Sequence, residues 1–153
     1  MGAAHFYVRP HMKHLAAVLF TLGCTSAFAG PDLLYGSWEG GDTAAMSVYG
    51  FLHISEGSIS WGREARRPEC KADYTLVAEP AGVSFKDQTD HEFTTGPNSR
   101  FQSYLLKIRP SKCAGDLGYL RLTVDPGFSS RYLAMVEYSP EQREQGWMHF
   151  FKR

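Results

Sequence analysis

"FLHISEGSISW", Phe51 to Trp61, decides the fold class. Leu52 and Ile54 alternate with Phe51, His53 and Ser55; after Glu56 and Gly57 the alternation resumes with Ile59 and Trp61. A period of two places alternate side chains on one face of an extended strand. Gly57 between two such runs marks the turn of an antiparallel hairpin. The stretch therefore reads as two strands sharing one apolar face. Outward from it the same period pairs Tyr74 with Leu76, Val83 with Phe85, Tyr104 with Leu106 and Ile108, Leu120 with Leu122 and Val124, and Leu133 with Met135. Prolines at 68, 80, 97, 110, 126 and 140, with glycines at 82, 96, 115 and 127, punctuate these runs. Nine strands are expected, around 35–40, 47–54, 58–62, 71–78, 83–86, 101–108, 117–125, 131–137 and 147–152. The single helical signal is "SPEQREQG": Ser139 as a cap, Pro140 at the first helical position, Gln142 in capping-box register and Gly146 as the stop. The expectation is an all-β protein, an antiparallel barrel of eight or nine strands with one short C-terminal helical turn, since so many antiparallel strands must close to remove their edges.

The compartment follows from "MKHLAAVLFTLGCTSAFAG", Met12 to Gly30. Lys13 and His14 precede an apolar run from Leu15 to Cys24, and Ala27 and Ala29 put small residues where a signal peptidase reads. A membrane-spanning helix needs about 20 apolar residues, and Pro31 and Asp32 arrive too soon. Residues 1–29 are thus expected to be a signal peptide cleaved after Ala29, with Met12 favoured as the true start, and residues 30–153 to form a single β-barrel domain. Gly23-Cys24 offers the alternative of a lipid-anchored protein acylated on Cys24; Thr21, where such signals carry Leu, argues against it. The leader holds Arg9 and Lys13 and no acidic residue, so the remainder has fourteen basic and sixteen acidic residues, a net charge of −2. That balance favours neither nucleic acid nor an anionic membrane as partner. Removal of the leader also removes Cys24 and leaves Cys70 and Cys113, an even pair expected to form a disulfide in an oxidising periplasmic or extracellular compartment.

The two ends of the domain carry a resemblance. "YGSWEG" places a Gly-x-Trp, Gly36 and Trp38, on the first strand, and "GWMHFFKR" ends the chain with Lys152 and Arg153. The order resembles that of lipocalin-like (calycin-type) barrels, in which such a Trp packs under a basic side chain from near the end of the barrel. The small, exported, functionally uncharacterised proteins of Gram-negative bacteria are similar in their leader and strand pattern. The resemblance implies a barrel floor made by Trp38 with Lys152 or Arg153; the residues alone equally allow Trp38 as an ordinary core aromatic. By alternation, Trp38 shares a face with Gly36 and Gly40, whose bare backbone leaves room for the indole, and Met148, Phe150 and Lys152 face inward while Arg153 faces out.

The aromatic set, with Trp61, Tyr74 and Tyr104 among it, either lines a pocket or fills one, because an eight-stranded barrel has room for packed side chains or one small ligand. "DQTDHE" gathers Asp87, Asp90, His91 and Glu92, but lacks the register of a calcium loop, so a solvated loop is expected and no metal. Arg63, Arg66 and Arg67 suit an anion, yet Glu64 and Glu69 interleave with them and are expected to neutralise them. Ser129 and Ser130 lack the second glycine of a nucleophile elbow, and His53, His91 and His149 are scattered. The reading is an exported, non-enzymatic binding protein without a cofactor, its partner a small apolar ligand or lipid fragment held in the barrel. The alternative is a rigid envelope interaction module or inhibitor with a packed core.

Overall fold

The computed structural model describes residues 31–86, 92–96, 99, 101–125 and 131–153. A 3-10 turn, Pro31–Leu33, leads into β1 (Gly36–Gly40), helix α1 (Thr43–Val48), β2 (Phe51–Ser55), β3 (Ser58–Gly62), β4 (Cys70–Val77), β5 (Ser84–Lys86), β6 (Glu92–Thr94), β7 (Gln102–Ile108), β8 (Tyr119–Val124), β9 (Tyr132–Tyr138) and β10 (Glu144–Lys152). Eight strands close an antiparallel barrel in the order β1-β10-β9-β8-β7-β4-β3-β2, and β5 and β6 form a separate two-stranded hairpin. Closure joins the first strand to the last, with Trp38 opposite Lys152 and Gly40 opposite Phe150. The opening hairpin pairs as its alternation requires, Leu52 with Trp61 and Ile54 with Ile59.

The core is the barrel interior. Trp38, Leu52, Ile54, Ile59, Leu106, Leu120, Leu122, Val124, Leu133, Met135 and Phe150 are at most 1% exposed. Both ends are stoppered. At one end Leu34, just after the 3-10 turn, is fully buried and its carbonyl accepts the Trp38 indole N–H at 2.8 Å. At the other, Ala45 of α1 and Tyr49 behind it are buried. The Tyr49 ring lies 5.5 Å from Trp61 and 5.9 Å from Phe150.

Three expectations are corrected. The short helix lies between β1 and β2, not near the C-terminus: Asp42 caps it, its side chain accepting from the Ala45 N–H at 2.7 Å. The stretch from Ser139 to Arg143 is instead the tight turn joining β9 to β10. Ser139 N–H donates to the Arg143 carbonyl, and Gln142 N–H to the Ser139 carbonyl, with Gln142 at φ +60°. Strand pairing between β9 and β10 outweighs a capping signal too short to propagate a helix. Val48 ends α1, so the strand expected at 47–54 starts only at Phe51. Leu76 shares a side with Tyr74 but is 46% exposed, because β3 begins opposite Asp73 and leaves the end of β4 paired with β7 alone.

The hairpin β5-β6 packs on the outside wall. Phe85 stacks on Phe93 at 5.4 Å, Phe93 meets Phe101 edge-on at 4.8 Å, and the Arg121 guanidinium sits 4.4 Å from the Phe85 centroid. Arg121, pointing out of β8, is 6% exposed and makes a two-pronged pair with Glu79 at 2.6 and 2.9 Å. Strand β6 was absent from the sequence reading; its three residues are too few to show a period.

Candidate functional site

At the stoppered floor, Lys152 Nζ lies 5.1 Å from the Trp38 ring centroid and donates to the Leu33 carbonyl at 3.3 Å. The ammonium thus covers the indole face and ties the last strand to the 3-10 turn. Arg153 points to the outer wall, 5.1 Å from the Phe51 centroid and 3.4 Å from the Glu39 carboxylate. The two glycines beside Trp38 serve neighbours other than the indole. A Cβ at Gly36 would stand 3.4 Å from Lys152 Cε, and one at Gly40 2.8 Å from the Met46 amide, where α1 crosses the barrel end.

Trp61, Tyr74 and Tyr104 do not converge on one pocket. Trp61 belongs to the α1 end, packed on Tyr49. Tyr74 lies toward the floor, its hydroxyl donating to the Ser55 carbonyl at 2.9 Å, and Tyr104 donates to Gln102 at 2.5 Å. Burial pushes the Tyr74 phenol up to about 12, with neighbouring Tyr35 adding to the shift. Burial likewise raises the phenols of Tyr35 and Tyr104. Sequence reasoning missed an interior carboxylate. Glu137 lies opposite Leu120 and so shares the inward face of β9 with Met135. It accepts the Tyr49 hydroxyl, and burial together with that carboxylate pushes the Tyr49 phenol far above its ordinary value. Alternation carries Leu133, Met135 and Glu137 to one face, so the signal was present in β9.

Cys70 and Cys113 form a disulfide with Cα atoms 5.4 Å apart. It ties the start of β4 to the loop after β7 at the α1 end. These strands are barrel neighbours, separated in sequence only because β5 and β6 are inserted between them, so the bridge reinforces one seam rather than joining distant hairpins.

The outer wall holds a row of polar groups beside a cleft. Ser37, His53 and Ser60 lie side by side across β1, β2 and β3. Ser37 Oγ is 3.1 Å from His53 Nδ1. The loop after β3 turns back beside this row, closed by an Arg67 N–H bond to the Glu64 carbonyl at 3.1 Å and a Glu69 N–H bond to the Trp61 carbonyl at 2.9 Å. Between wall and loop is a cleft of about 180 Å³ lined by Phe51, His53, Ser60, Glu64, Arg66 and Pro68, with Ser37 at its side. A wider open depression is lined by Met46, Ser47 and Gly50 at the end of α1 and by Arg63 at the start of the loop. The expected neutralisation of the arginines does not occur: among the described residues none of Arg63, Arg66 and Arg67 forms an ion pair, and all three are exposed. A turn this tight points neighbouring side chains apart, so charges adjacent in sequence fail to meet. His149 is on β10, across β1 from His53, and does not join this row: it is stacked on Tyr132 at 5.3 Å and lies 3.4 Å from Asp42.

Asp87, Asp90, His91, Ser129 and Ser130 lie outside the described residues, as does the leader. Among the described residues no group of three metal-ligating side chains assembles, and no helix is long and apolar enough to cross a membrane. No family model, curated protein or solved structure matches the chain.

Proposed function

We propose that the protein is an exported, non-enzymatic interaction module built on a lipocalin-like barrel, binding through its outer surface while its interior serves only stability. One observation carries this reading: the side chains at the middle of the barrel, Trp38, Leu106, Leu120, Leu122, Leu133, Met135 and Phe150, have no accessible surface, and a void able to admit even water beside them would give them some. An apolar ligand held inside would have to displace that core. Lys152 over Trp38, above the 3-10 turn, supports the lipocalin-like reading, and the disulfide supports export to an oxidising compartment.

The test is a titration with cis-parinaric acid, followed by fluorescence and by methyl NMR. The expected result is no saturable binding and unmoved Leu122, Leu133 and Met135 methyl signals. Saturable binding with shifts at those methyls would restore the carrier with a small apolar ligand or lipid fragment. For export, the intact mass of the mature protein is expected to begin at Gly30; a lipidated mass beginning at Cys24 would make it an anchored lipoprotein.

A further inference from the structure

We propose that the cleft between the outer wall of β1-β2-β3 and the arginine loop is the docking site for a partner protein, and that it receives a carboxylate from an acidic segment of that partner. The inference rests on the interaction-module reading and names the surface and the chemistry it would use.

Charge is the first ground. Arg63, Arg66 and Arg67 fall within five consecutive positions, and none is in an ion pair, although Glu64 and Glu69 are their neighbours in sequence. Elsewhere on the described surface Arg143 pairs with Glu141 and Arg153 with Glu39, while Arg109 and Arg131 form no ion pair; what distinguishes the loop is three such guanidinium groups close together. A guanidinium offers a planar fork of donors that matches a carboxylate, and Arg66 presents one at the cleft wall.

The donor set is the second ground. The Ser37–His53 bond leaves a donor over in either tautomer. If the Ser37 hydroxyl donates to Nδ1, the ring proton is on Nε2; if Nδ1–H donates, the hydroxyl proton is released. Ser60 adds a second hydroxyl across the register from His53. Arg66, the Ser37–His53 couple and Ser60 therefore surround the cleft with donors, while Phe51 and Pro68 supply apolar sides for the methylenes that carry the carboxylate. Glu64, the single acid in the lining, opposes a multiply charged small anion such as phosphate more than a single carboxylate. About 180 Å³ is on the order of six water volumes, the space of one inserted side chain.

A peptide fits better than a free acid or a lipid surface. Arg63 borders the second depression together with Met46, and Met46 and Val48 are 46% and 56% exposed. A segment long enough to reach both depressions would set a carboxylate at Arg66, a second near Arg63 and an apolar residue on Met46. Arg63, Arg66 and Arg67 form a short cluster in a chain of net charge −2 after the leader, which an extended anionic membrane would meet poorly.

The experiment follows amide and side-chain NMR signals of residues 30–153 during titration with the acetylated, amidated peptide Leu-Glu-Asp-Glu-Ala-Leu, and with its Gln/Asn counterpart. Saturable shifts are expected at His53, Ser60 and residues 63–67, weakening with added salt, with the uncharged peptide bound at least about tenfold more weakly. Arg66→Ala is expected to weaken the acidic peptide about tenfold and Ser60→Ala two- to threefold, with Lys107→Ala, on the far wall, as the unchanged control. Equal binding of the uncharged peptide, indifference to Arg66→Ala, or shifts centred elsewhere would overturn the proposal. So would Arg66-dependent binding of phosphatidylserine vesicles in preference to the peptide, which would make the site a lipid one. None of these outcomes touches the packed interior, which the parinaric acid titration tests separately.

Discussion

Trp38 joins the energetics of the fold to its sequence signature. Its ring is wholly buried, its N–H is used by the Leu34 carbonyl, and its face is covered by Lys152. Replacing it with Ala removes the packing and leaves a buried carbonyl without its donor. Trp38→Ala should cost about 3–5 kcal/mol, seen as a fall of more than about 10 °C in melting temperature; a variant melting within a degree or two of the parent would contradict the burial. The tyrosines make a second prediction. Tyr49 and Tyr74 hold their protons more tightly in the folded chain than in the unfolded one, where phenols ionise near pH 10. A raised folded value means stability fully present below about pH 10 and lost as pH rises through the folded values. Alkaline unfolding should therefore begin above about pH 10, with delayed tyrosinate absorbance that jumps on unfolding. Tyr49→Phe should flatten that loss while lowering stability near neutrality, because Glu137 keeps its place inside without its hydroxyl donor.

Among the elements, the turn from Ser139 to Arg143 shows how a local signal can point to the wrong structure. Ser-Pro followed by Gln in register is a helix start wherever a helix can run on, but β9 and β10 bring their ladders to this point and the chain must reverse. Gln142 takes the left-handed conformation as a result. Gln142→Gly should raise stability by about 0.5 kcal/mol, since glycine adopts that conformation without steric cost. In a helical turn the same change would lower stability by about 1 kcal/mol, so chemical denaturation separates the two by sign. The α1 segment is the converse case. Its six residues carry too little pattern to declare a helix, and they form one because Asp42 caps it and also accepts the His149 backbone N–H at 2.6 Å, a partner 107 positions away.

For the whole molecule, the barrel is closed by β1 on β10 and locked at the β4-β7 seam by Cys70–Cys113. The bridge spans 43 positions, for which loop entropy gives an upper figure of about 4 kcal/mol. Converting both cysteines to Ala should lower unfolding free energy by about 2–4 kcal/mol with the barrel retained. Unaltered stability on reduction would place that seam's strength entirely in its backbone ladder. The sequence by itself determined the strands of the barrel and, Leu76 apart, their inward faces, the cysteine pair and the meeting of Trp38 with the last strand, because period-two patterning, odd and even cysteine counts and the need to close edges are visible along the chain; the β6 strand and helix α1 were not. Whether the interior was hollow or full, which acids and arginines met, and where Ser37, His53 and Ser60 lined up were decided only by the tertiary structure. Volume inside a barrel depends on how side chains from eight strands interdigitate, and the partner of a surface charge depends on the direction a turn gives it; neither is a property of neighbours along the chain.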